Sequence, residues 1–231
     1  MTQKITINFD TLKTMKKTSI EFLHLLKENN NRDWFNEHKA FYEEAKLDFE
    51  HLVDVLIPLV QGFEPRINNL TAKQTTFRIY RDIRFSKDKT PYKDHFGAYI
   101  APNGRKSSYC GYYLHIEPGK SMLGGGAYHP SGEPLKKIRS EIYYNLAEFK
   151  SIINSPVFKK TFGQLEGEQL KRPPKDFSAD FEGIEYLKFK DFTVFYPFEE
   201  NALLSDNFVP FAVDIFKKMK PLNDFLNRAL D

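Results

Sequence analysis

The chain has a single cysteine, Cys110, so it cannot close a disulfide on itself, and a reducing, cytoplasmic setting is expected. It has no uninterrupted apolar run of membrane length. Its opening residues, MTQKITINFDTLKTMKK, hold no apolar segment long enough for a signal peptide. Several familiar signatures are also missing: the Gly-Lys-Ser/Thr of a P-loop, the dinucleotide-binding fingerprint, the Gly-x-Ser-x-Gly elbow, and the His-x-x-x-His and His-Glu-x-x-His spacings of metal sites. Each absence removes the sequence support for one chemistry. Cys110 sits in a strand-like run without an adjacent base, so it reads as a small core residue rather than a nucleophile. No linker-like stretch divides the chain, which gives a loosely ordered lead-in over residues 1–17 and a single domain over 18–231.

Aromatic residues are plentiful, 15% of the chain with 22 Phe, and predict an aromatic-heavy core. Positive charge is concentrated. From Lys73 to Lys93, KQTTFRIYRDIRFSKDKTPYK, seven basic residues face only Asp82 and Asp88, a local charge of +5 in a chain that totals +3. Phe77 to Phe85 alternates like a strand, with Phe77, Ile79, Ile83 and Phe85 on one face and Arg78, Tyr80, Asp82 and Arg84 on the other. Arg81 interrupts the apolar face and must be paired, leave at a strand end or meet a ligand, because an unpaired buried charge is costly. Asp82 can orient the Arg84 fork towards a planar anion. The next residues, with Thr90 pushed extended by Pro91, form a loop that brings Lys87, Asp88, Lys89, Tyr92, Lys93 and His95 to the strand end.

The rest of the chain reads as helices flanking a meander. Thr18 and Glu21 have capping-box spacing before a short helix, Asn31 or Asp33 caps a second, and an amphipathic helix runs from about Glu37 through Val60. Strands are expected over 96–101, 108–117 and 121–128, joined by Pro-Asn-Gly and Pro-Gly turns. In the middle one, Tyr112, Leu114 and Ile116 share a face, opposite Tyr109, Gly111, Tyr113, His115 and Glu117. Gly124-Gly125-Gly126 is unusual inside a strand and implies close packing or a closely approaching ligand. Helices follow over 134–146 and 147–153, then from Ser155-Pro156 through Phe162. A strand is expected over 188–198, and last comes a helix capped by Ser205 or Asp206 and broken or kinked at Pro221. The fold class is therefore α+β, an antiparallel-dominated sheet from the central third packed against N- and C-terminal helices.

The run FRIYRDIRFSKDKTPYKDHFGAYI resembles the signature of a widespread family of bacterial and fungal proteins, described as a conserved domain of unknown function. TSIEFLHLLKENNNRDWFNEHKAFYEEAK, GYYLHIEPG, GGGAYHP and EYLKFKDFTVFYPF resemble other parts of the same family. The resemblance implies a domain outline and no catalytic assignment.

The residues support three readings. The first is a basic pocket for a phosphate- or carboxylate-bearing small molecule, held by Arg78, Arg81, Asp82, Arg84, Lys87, Asp88, Lys89, Tyr92, Lys93, His95, Tyr113 and His115, with Tyr92, His95 or His115 available for acid–base chemistry. In the second the same cations bind nucleic-acid phosphates, with Tyr92, Tyr99, Tyr109 or Tyr113 stacking on bases. In the third the charges form an internal ion-pair network in a structural or partner-binding domain. The local positive charge favours the first, since a nucleic-acid face recruits cations from several elements. His95, His115 and His129 could converge with Glu117, Asp82 or Asp88 on a metal, but no spacing supports it, and no metal or cofactor is assigned. No membrane partner is expected.

Overall fold

The computed structural model describes residues 14–231. Three helices come first: α1 (Lys17–Glu28), α2 (Arg32–Glu37) and α3 (Lys39–Gln61), followed by the single turn α4 (Ala72–Thr75). The strands β1 (Phe96–Ile100), β2 (Gly111–Ile116) and β3 (Met122–Ala127) form the meander. After them come α5 (Glu133–Tyr144), α6 (Leu146–Ile153), α7 (Pro156–Phe162), the short α8 (Ile184–Leu187), β4 (Phe192–Pro197) and α9 (Phe208–Arg228). The fold is α+β, with a four-stranded antiparallel sheet in the order β1-β2-β3-β4. β4 therefore returns to the edge of β3 after a largely helical excursion. The lead-in expected over 1–17 falls, for residues 1–13, outside the described residues.

Alternation divides the sheet into two unlike faces. On one, Phe96, Ala98, Tyr112, Leu114, Leu123 and Val194 are buried, and helices cover them. Phe96 stacks on Phe22 of α1 and Phe49 of α3, while Tyr112 meets Phe216 of α9. Gly125 lies on this face because of α9: a Cβ there would stand 2.8 Å from Met219 Sδ. Packing accounts for this member of the glycine run. The other face, with Tyr99, Tyr113, His115, Thr193 and Phe195, opens into a cleft, with Pro134 and Ile138 of α5 on its wall.

Local signals explain several boundaries and miss others. Ser155 caps α7 by accepting from the Phe158 N–H, and Asn31 caps α2 through the Trp34 N–H. The Thr18 capping box does not form. α1 begins at Lys17, and the buried Asp48 of α3 accepts from the Lys16 N–H at 2.7 Å and the Ser19 hydroxyl at 2.6 Å, so the cap comes from another helix. α9 likewise does not break at Pro221 but continues to Arg228, because Leu222, Phe225 and Leu226 beyond it are buried. The lost backbone bond of the proline is outweighed by that burial. Its N-cap is Asn207, rather than Ser205 or Asp206.

The largest correction concerns Phe77 to Phe85, which is not a strand. The chain touches β1 at Thr76 and then closes on itself through the Tyr80–Tyr92 bridge, with Arg81 N–H donating to Pro91 O and Lys93 N–H to Ile79 O. Ile79 alone of the expected apolar face is buried, whereas Phe85 is 95% exposed. Alternation misled here because residues 82–90 form the loop of a small ribbon, where no sheet imposes a two-residue period.

Candidate functional site

The loop that carries most of the positive charge is held together by its own acids. Arg81 pairs with Asp88 and donates to Thr90 Oγ1 at 2.5 Å, and Arg84 grips Asp82 with Nε at 2.9 Å and Nη2 at 2.6 Å. Lys89 donates to Ile83 O. The Arg84 fork is thus spent on Asp82 instead of being aimed outward. Hydrogen bonds from the Arg84 side chain and backbone hold the Asp82 carboxyl down at about 2, and those from Thr90 are the main reason Asp88 lies below the usual carboxylate range.

A depressed carboxylate contributes stability that is fully present above its unfolded pKa and is lost as pH falls through the folded value. The Asp82–Arg84 contribution is therefore complete above about pH 4 and disappears towards pH 2. Carboxyl NMR should find an Asp82 midpoint near 2 in the wild-type protein and in the ordinary aspartate range in Arg84→Met. An unchanged midpoint would contradict the pairing.

The concave site lies next to this loop. A cleft of about 730 Å³ opens over the Tyr113 face of the sheet, within the roughly 300–1,000 Å³ of small-molecule sites. Its walls are aromatic: Phe77, Tyr99, Tyr109, Tyr113, Tyr128 and Phe195. Its charge comes from Lys93 and Arg105, with His95, His115 and His129 around them. A second hollow of about 260 Å³, near Ile153, Phe158 and Phe189, has Lys159 as its one charged lining residue.

Of the expected site residues, Lys93, His95, Tyr113 and His115 line the cleft. Arg78, Arg81, Asp82, Arg84, Lys87, Asp88, Lys89 and Tyr92 do not. Tyr92 is a core residue stacked on Phe35 at 3.9 Å. Among the described residues no carboxylate lies within 4.0 Å of Arg78 or Lys93. Lys93 is half-buried, with its ammonium 5.5 Å from the centre of the Phe77 ring. Burial first, then Arg78 and Arg81, pushes its pKa down. It is a cation whose neighbours add to its charge rather than cancel it.

A hydrogen-bonded chain crosses the cleft floor on β2. Tyr113 Oη lies 3.0 Å from His115 Nδ1, and His115 Nε2 lies 2.9 Å from Glu117 Oε2. The two-residue period puts all three on one face. Gly97, opposite His115 on β1, makes room for the phenol, since a Cβ there would stand 2.6 Å from Tyr113 Oη. Burial pushes the Tyr113 phenol up to about 12. Burial also raises Glu117, but hydrogen bonds from His115 and Lys120 outweigh it and leave the carboxyl below its usual range. An ionised Glu117 only accepts, so His115 donates to it from Nε2, and in the neutral imidazole Nδ1 then accepts a hydrogen bond from the Tyr113 hydroxyl. Such a chain can hold or pass a proton at the phenol.

His95, just before β1, completes the group, its ring 4.4 Å from that of His115. Burial, His115 and Lys93 push its pKa down to about 4. One ligand atom from each of His95, His115 and Glu117 lies within 4.8 Å of the others, a convergence for which the sequence contains no spacing motif. Arg105, Thr193 and Phe195 were not singled out from the sequence as site residues. Cys110 is buried and its thiol pushed up to about 12 by desolvation, so it plays no part here. Among the described residues no helix is long and apolar enough to cross a membrane.

A family model described as "conserved hypothetical protein" matches residues 18–225, nearly the whole described chain. Among curated proteins and solved structures, nothing matches.

Proposed function

This chain belongs to the DUF2461 family of conserved hypothetical proteins, and we propose that its cleft binds a small molecule carrying a phosphate or carboxylate. The observation that carries this reading is Lys93, a half-buried cation in a concave site with no carboxylate within 4.0 Å among the described residues. An uncompensated charge in such a place is expensive unless something pairs with it. Arg105 extends the positive rim, and the aromatic walls offer flat apolar surface to the body of the ligand. Tyr113 would meet the bound molecule from the floor, with His115 and Glu117 behind it. The ion-pairing of Arg81 and Arg84 makes the adjacent loop a support for Lys93 rather than the site itself.

The test is thermal unfolding in EDTA with phosphate, sulfate, nucleotides, sugar phosphates and dicarboxylates. At a hundredfold excess over the dissociation constant a ligand adds about 2.7 kcal/mol, or about 5–10 °C for a chain of this size. At least one anion should give a saturable rise in the wild-type protein and in Arg84→Met, and much less in Lys93→Met. If every anion fails on the wild type, or Lys93→Met responds fully, the reading is wrong. A response to long polynucleotides alone, lost steeply with salt, would favour nucleic acid instead.

A further inference from the structure

We propose that His95, His115 and Glu117 form a binding site for a divalent transition-metal ion, of which zinc is the natural occupant, with coordination positions open to the cleft. His115 lies on β2, Glu117 just beyond its end and His95 just before the neighbouring β1, and one ligand atom from each converges within 4.8 Å. Two imidazoles and one carboxylate are a donor set suited to zinc and other first-row divalent ions. The 2.9 Å between His115 Nε2 and Glu117 Oε2 is a hydrogen-bond distance, shorter than the roughly 3.4 Å between neighbouring ligands of a tetrahedral ion with bonds of about 2.0–2.2 Å, so the pair need open by only about half an ångström to admit one. In the metal-free protein a proton bridges those atoms. When the ion takes its place, the imidazole proton moves to Nδ1 and is donated to Tyr113 Oη, 3.0 Å away. Ligating histidines are commonly held by such a second hydrogen bond, which fixes ring orientation.

Other features of the site fit an open rather than a closed metal centre. His95 and His115 both line the cleft, so solvent or a ligand can complete the coordination sphere that three protein groups leave unfilled. Glu117 is anchored from behind: its N–H donates to Ser121 Oγ, and Ser121 donates back to its carbonyl. Lys120, 3.3 Å from Glu117 Oε1, occupies the second carboxylate oxygen and leaves Oε2 for the ion. Among the described residues His95 has a single carboxylate neighbour within 4.0 Å, Asp94 at 3.7 Å, too far for a hydrogen bond, so no such bond holds its ring nitrogens away from a metal. Lys93 next to it counts against a bare dication, and an anion shared between the ammonium and the ion would relieve that repulsion.

Metal binding does not depend on the anion reading, so the ion is added alone. The full chain, stripped with EDTA, is titrated with Zn²⁺ by calorimetry and with Co²⁺ by visible absorption. The expected result is one EDTA-reversible ion per chain, with affinity reduced at least tenfold in His95→Ala and Glu117→Gln and about tenfold in Tyr113→Phe. His95→Ala removes a side chain that makes no hydrogen bond to another described residue, so the variant should fold. Histidine-ring NMR of the wild-type protein gives an answer that needs no variant: Zn²⁺ should shift His95 and His115 and leave His24, His38 and His51 in place. No stoichiometric ion, undiminished affinity in folded His95→Ala, or shifts confined to other histidines would overturn the proposal.

Discussion

Replacing Asn223 by leucine should destabilise the protein by about 3 kcal/mol and lower its melting temperature by about 6–12 °C. Asn223 is fully buried on α9, where its Oδ1 accepts from the Gly126 N–H at 2.8 Å and its Nδ2 donates to Gly111 O at 3.0 Å. One helical turn later Asn227, also buried, does the same for both backbone groups of Cys110. The two amides thus satisfy strand groups at the end of β2 and β3, where Gly111 and Gly126 face each other. Leucine keeps the volume and removes the bonds, leaving two buried backbone groups unpartnered at about 1–3 kcal/mol each. Urea unfolding would measure the loss directly. A change below about 1 kcal/mol would mean that those groups find other partners.

A larger loss, about 3–5 kcal/mol, is expected for Gly126→Ala. Gly126 has φ of +100°, and a Cβ there would fall 2.0 Å from Phe192 O and 3.0 Å from Thr193 Cα. Neither atom can swing away, because both belong to the backbone of the strand paired with β3. The substitution must therefore pry β3 from β4 and disturb the cleft wall formed by Thr193 and Phe195. Gly119→Ala is the control. Its φ is +76° with nothing within 4 Å, so it carries the conformational strain, about 1–2 kcal/mol, without the collision. Equal losses in the two variants would show that β4 yields to the added methyl group.

How much of this could be read from the chain depended on whether the governing contact was local. Tyr112, Leu114 and Ile116 announce a strand and its buried face because a sheet covered on one side demands a two-residue period, and Ser155-Pro156 announces α7 by its own cap. The same period over Phe77 to Phe85 was deceptive, since Arg81 finds Asp88 seven residues on and the segment folds back to Tyr92. Lys93 and His95 could be located because they flank the charged stretch, and Tyr113 and His115 because they alternate on one strand. The meeting of His95 with His115 and Glu117 depends on how β1 and β2 are registered, Gly97 against His115, and cross-strand neighbours leave no fixed spacing in a sequence. Arg105 carried no signal beyond its turn. The cap that Asp48 supplies to α1, from a different helix, is invisible for the same reason.

Mapping inorganic phosphate onto the protein by NMR, in EDTA, tests the central claim most directly: the ligand site is the cleft on the open face of the sheet, not the charged loop beside it. The account predicts saturable shifts at Lys93, His95, Arg105 and Tyr113, with Arg81 and Arg84 unmoved in their ion pairs. Saturable shifts confined to residues 81–89 would contradict it.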